Sequence, residues 1–173
     1  MRQAIASLLE CLKSASVSKN DCILRLALLL ERSTRRGYSD ASHESELPKE
    51  LLDNALSDAE HREIVRNLGR EILHEPENGS LYWALGKAKW EEGMGVLLRI
   101  LSTRGDETRD ESAYQAVIAL ENFLIADEGK LLDGVHREIE ASDPRPFLQS
   151  RLTSSDPRLA ATSERVLARI ARG

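Results

Sequence analysis

Aromatic residues make up only 4% of this 173-residue chain, and it holds two cysteines and five prolines. Cys11 and Cys22 are too few for the disulfide framework of a small secreted scaffold, and there is no C-x-x-C. Collagenous and strongly disordered classes are excluded by composition. No run of about 18 apolar residues exists, so nothing reads as a membrane span. Also missing are a Walker loop, a G-x-G-x-x-G, an H-E-x-x-H and a G-x-S-x-G elbow. The commonest local signatures of nucleotide binding, zinc proteolysis and serine hydrolysis are therefore absent.

What is present is a chain that is 41% hydrophobic and 31% charged, with a formal net charge of −5. That length suits one domain with a real core. The apolar period is helical almost throughout. Ile5, Leu8, Leu9 and Leu12 share a face of a first amphipathic helix. Glu10 and Lys13 interrupt its apolar run, so it reads as a helix of a cytoplasmic protein rather than a signal peptide. The two cysteines lie within helical apolar patterns and read as buried small hydrophobes of a reducing cytosol.

A second helix is expected over about 20–35, ended by Gly37. The polar stretch Tyr38 to Leu47 reads as a mobile loop, and Pro48 as the first turn of a short helix through Leu56. Ser57 with Glu60 forms a capping box ahead of Ile64, Leu68 and Ile72. Ser80 is expected to cap a helix carrying Leu81, Ala84 and Leu85. A break near Trp90 precedes a helix with Met94, Leu97, Leu98 and Leu101, closed by Gly105. Further helices follow over 106–124, from an Asp127 cap, from Asp143-Pro144 to Leu152, and from Asp156-Pro157 onward. Alternating patterns are absent, so the expected fold is all-α.

Trp83 to Ala88, Ile118 to Phe123 and Arg165 to Ile170 resemble one another. Leu85, Leu120 and Leu167 stand 35 and 47 residues apart, near the period of two-helix repeats. A single such unit cannot bury its apolar face, whereas stacked neighbours can. The segments ALGKAKWEEGMGVLLRIL (84–101) and DPRLAATSERVLARIA (156–171) resemble the short bacterial HEAT-like repeat family. The resemblance covers about 80–173, with 1–79 as N-terminal helical hairpins. It implies a right-handed α-solenoid-like stack of antiparallel hairpins with a concave face where partners dock. Carried onto this chain, that face uses Glu91, Glu92, Gly95 and Arg99, then Lys130, Asp133, Arg137 and Glu138, then Arg145 and Arg151. Trp90 is the nominated anchor, because buried aromatics dominate interface energetics.

Other chemistries lack partners. Glu71 with His74, and Asp133 with His136, have the i, i+3 spacing of bundle metal ligands, but acid-rich helices produce such pairs by chance. No catalytic residue, metal ligand or cofactor is assigned. Gly93 and Gly95 point to close helix packing rather than a phosphate cradle. Tyr82 and Trp83 point to different sides of one helix, so they are not expected to be fully buried in the same layer, and core packing is the favoured reading for each.

The acidic overall charge argues against nucleic acid. Residues 105–142 carry net −7, whereas residues 143–173 carry net +3. Arg158, Arg165, Arg169 and Arg172 put a basic stripe on the last helix, readable as a solvated face, a phosphate-binding stripe or a contact for an acidic segment. The function expected is a noncatalytic protein–protein interaction module, a scaffold or adaptor. Two alternatives stand beside it: a small acidic immunity-type inhibitor of a bacterial toxin, and a HEAT-type lyase or DNA-glycosylase-like enzyme. The enzyme reading requires a desolvated acid beside Trp83 or Trp90.

Overall fold

The computed structural model describes residues 1–14, 18–34, 47, 49–52, 54–125 and 132–172. Among these there are ten α-helices and no strand. They are α1 (Arg2–Leu12), α2 (Lys19–Thr34), α3 (Lys49–Leu52), α4 (Asp58–His74) and α5 (Gly79–Leu85), followed by α6 (Trp90–Arg104), α7 (Asp110–Ile125), α8 (Leu132–Ala141), α9 (Arg145–Arg151) and α10 (Pro157–Arg172).

Several helices begin where a side chain accepts from a first-turn amide. At α4 the Glu60 N–H donates to Ser57 Oγ (3.3 Å) and the Ser57 N–H donates to Glu60 Oε2 (2.9 Å), the expected capping box. The cap of α5 is Asn78 rather than Ser80: its side chain accepts from the Ser80 N–H, and the helix starts at Gly79. α10 opens on Pro157, with Asp156 accepting the Arg158 N–H. α7 starts later than expected, because Gly105–Glu107 form a 3-10 turn. α3 ends at Leu52, short of Leu56. Gly37, the Tyr38 to Glu46 stretch and Asp127 lie outside the described residues; Leu47 is buried.

The helices pack in two sequences of neighbours. α2, α5, α7 and α10 lie side by side in that order, and so do α1, α4, α6 and α8. α1 against α2, α4 against α5 and α6 against α7 join the two. One continuous apolar core runs between them, from Ile5 and Leu12 in α1 to Leu159 and Val166 in α10. Close approach needs missing side chains in places. A methyl group on Gly86 would lie 2.9 Å from the Ala119 Cα, so α5 and α7 meet backbone to backbone there. Gly93 and Gly95 serve the same end, under Phe123 and Glu138, as expected. Tyr82 is fully buried and Trp83 partly so, with Lys87 Nζ 5.4 Å from the Trp83 ring centroid.

Buried and half-buried ion pairs tie successive helices together. Lys19 on α2 donates to Glu71 on α4 (3.3 Å) and to Glu75, the residue that follows α4 (2.6 Å). Lys87 reaches Glu31 on α2 (3.0 Å). Arg165 on α10 grips the buried Glu121 of α7 through two bonds of 2.6 and 2.8 Å.

The cysteine reading needs correction. Cys11 and Cys22 form a disulfide, with their Cα atoms 6.3 Å apart, closing the α1–α2 hairpin. Antiparallel helices joined by a short link bring the end of α1 beside the start of α2, which a search for C-x-x-C does not detect. Disulfides persist in oxidising compartments, so free thiols no longer argue for a cytosolic protein. Among the described residues no helix is long and apolar enough to cross a membrane.

Candidate functional site

Helix α4 divides its residues by face. Ile64, Leu68 and Ile72 are fully buried, while Arg62, Arg66 and Arg70 follow one another at four-residue steps on the exposed side. Between these faces lie Val65, Gly69 and Leu73, also four apart. α6 runs alongside with Val96, Ile100 and Thr103 turned toward α4. The two helices enclose a groove of about 500 Å³. Gly69 sets its depth, since a methyl group there would lie 2.6 Å from Val96 Cγ1. Leu73 is 40% exposed in it, one of three large apolar side chains so exposed among the described residues.

The rim is cationic. Arg62, Arg66 and Arg70 stand on α4 and Arg99 on α6, against one carboxylate, Glu92. Arg62 and Glu92 are 3.6 Å apart and partly exposed, a geometry that contributes little to stability. Arg66, Arg70 and Arg99 have no ion-pair partner among the described residues, unlike most of the arginines on α10.

One end of the groove is held in place. Lys89, just before α6, pairs with Asp58 on α4 at 2.9 Å, which lowers the Asp58 pKa. The Lys89 N–H donates to His61 Nε2 at 3.2 Å, so the His61 proton sits on Nδ1, which has no partner. Burial, reinforced by the Lys89 charge, lowers the His61 pKa to about 4, and the ring is neutral at pH 7.

The expected site residues disperse over the surface. Arg99 and Glu92 line the groove. Glu91 is exposed in the first turn of α6. Trp90 packs partly buried against Gly134 of α8, and a methyl group on Gly134 would lie 2.5 Å from its ring. It therefore joins α6 to α8. The Glu138 carboxylate covers Gly95 at the same helix contact. Arg137 is exposed on α8, Lys130 lies outside the described residues, and Asp133 is on α8 with its side chain outside the description. Arg145 pairs with Asp143 at 2.8 Å. Arg151 is turned inward: it donates to the Gly105 carbonyl (2.8 Å) and Thr108 Oγ1 (3.1 Å), and lies over the Phe147 ring.

The basic stripe of α10 meets this chain's own acids. Arg158 pairs with Glu111 and Asp156, and Arg165 and Arg169 lie at 2.6 and 3.7 Å from Glu121. Glu121 is the buried carboxylate among the described residues, and the Arg165 hydrogen bonds hold its pKa below the usual carboxylate range. It is a paired anion on α7, distant in sequence from both tryptophans. Glu71 of the Glu-x-x-His pair is engaged by Lys19, and no described group of three or more His, Cys, Asp or Glu could hold a metal.

The α4 arginines were within reach of sequence reading. Arg62, Arg66 and Arg70 stand at helical spacing in HREIVRNLGREILH. The acidic total charge and the resemblance farther along the chain drew weight away from them. No protein-family model, curated protein or solved structure matches this chain.

Proposed function

We propose that the chain is a noncatalytic protein-binding module, a HEAT-like stack of antiparallel helical hairpins that holds its partner in the groove between α4 and α6. The observation that carries this is the apolar groove of about 500 Å³ bordered by Arg66, Arg70 and Arg99, which have no ion-pair partner among the described residues. A groove with an apolar floor and a cationic rim offers contact surface and charge steering to a partner of complementary charge. The side-by-side order of α2, α5, α7 and α10, and of α1, α4, α6 and α8, supports the stacked-hairpin reading. The groove lining has no histidine, cysteine or lysine, and its one carboxylate faces Arg62, which favours binding over turnover.

An acidic inhibitor is less well supported. The acids of α7 that would meet a basic toxin are partly used by Arg158 and Arg165 within the chain.

The test is capture from the source organism's lysate with three immobilised proteins: wild type, Arg66→Glu with Arg70→Glu, and Arg145→Glu as a surface control. The expected result is a protein retained by wild type and control and lost by the groove variant. Identical capture by all three would sink the proposal.

A further inference from the structure

The groove has a geometry that narrows its occupant. Arg62 and Arg70 are two four-residue steps apart, a span of about 12 Å along α4 at 1.5 Å per residue. Val65, Gly69 and Leu73 repeat the same steps on the floor, and Val96 and Ile100 repeat them on α6. The floor is buried at Val65, Gly69 and Ile100 and open at Leu73 and Val96, so the accessible apolar strip follows the four-residue period and suits side chains projecting at i, i+3, i+4 and i+7 from a third helix. It does not match an extended strand, whose side chains alternate faces every residue. The rim adds a charge requirement. Arg66, Arg70 and Arg99 stand on both long sides of the groove, so a helix lying in it is flanked by guanidinium groups left and right. The floor has no aromatic ring on which nucleic-acid bases could stack.

We infer that the α4/α6 groove recognises an acidic amphipathic helix of a partner protein, about three turns long, with apolar residues on one face and Asp or Glu at four-residue spacing along its edges. The inference rests on the protein-binding reading above and specifies the partner's chemistry. Leu73 and Val96 take the apolar face. Arg66, Arg70 and Arg99 take the carboxylates, fix register and speed association, with a strength that falls as salt rises.

The probe is a displayed library of 14-residue peptides with Leu, Ile or Met at i, i+3, i+7 and i+10 and free choice among Asp, Glu, Lys, Arg, Gln and Ser elsewhere. It is selected on the full chain with the bare support as counter-selection; Arg66→Glu with Arg70→Glu, a surface variant checked for native helicity and melting temperature, enters only at the affinity measurement. Fluorescence anisotropy then measures individual peptides. Recovered sequences should carry Asp or Glu at four-residue spacing. They should lose tenfold or more in affinity on the variant and threefold or more on Leu73→Ser. A Lys-edged version of the same peptide should prefer the charge-reversed variant over wild type. Recovery of edges without acidic bias, or affinity unchanged by the arginine variant, overturns the acidic-helix inference while leaving a protein-docking groove standing. Failure of the library to yield any groove-dependent peptide overturns it as well. Arginine-dependent binding of dodecanoate or of a single-stranded DNA 20-mer, with no peptide recovered, overturns both this inference and the protein-binding reading.

Discussion

His61 shows how one buried side chain ties the candidate groove to solution pH. Its folded pKa of about 4 lies below the ordinary imidazole value of 6.5, so the unfolded chain binds a proton that the native ring refuses. Stability is unaffected by this group above about pH 7 and declines as pH falls through 6.5 toward 4, by roughly 3 kcal/mol at the lower limit. His61→Gln, which can still accept from the Lys89 N–H, should flatten the melting-temperature profile between pH 7 and 4. Glu121 has the opposite sign. Its lowered pKa adds stability above the ordinary carboxylate range that is lost as pH drops through the folded value. Arg165→Ala should cost about 2 kcal/mol at pH 7 by leaving a buried carboxylate short of donors. That deficit should shrink in urea titrations as the pH is lowered and the carboxyl takes up its proton.

At the scale of elements, the closest approach of α4 to α6 rests on Gly69. Gly69→Ala places a methyl group 2.6 Å from Val96 Cγ1, and relief requires the helices to part or Val96 to turn. The expected cost is about 1–3 kcal/mol, typical of overpacking. Val96→Ala should rescue most of it, so a double-mutant cycle by denaturant melts should be strongly non-additive. Most helices were readable in the sequence because an amphipathic face and its capping residues are local facts. The Ser57–Glu60 box and the Asp156-Pro157 start are examples. Which side chains those faces leave free was not readable. Arg151 looked available until Gly105 and Thr108, 46 and 43 residues away, turned out to hold it. Nor was it readable that Gly134 seats the Trp90 ring. Both depend on which helix lies beside which, and periodicity within one helix carries no record of that.

For the molecule as a whole, charge is distributed by internal pairing more than by total. The net −5 suggested an acidic binding surface. Instead Glu111 and Glu121 are matched by Arg158 and Arg165, and Lys19 spans Glu71 and Glu75. Three arginines without an ion-pair partner among the described residues, Arg66, Arg70 and Arg99, stand together at the α4/α6 groove of an acidic protein. The Cys11–Cys22 bond likewise acts on the whole chain, through the unfolded state. Closing an 11-residue separation should stabilise the fold by about 3 kcal/mol, so reduction should lower the melting temperature by several degrees. Intact mass after alkylation without reductant should show no added label, and two labels after reductant. The same covalent loop has a mechanical consequence. Stretched between its ends by an optical trap, the fully unfolded polypeptide should extend about 30 Å less than its residue count allows, because the segment between Cys11 and Cys22 cannot pay out. Adding reductant under load should release that hidden length in one step, while the rest of the force–extension curve stays the same.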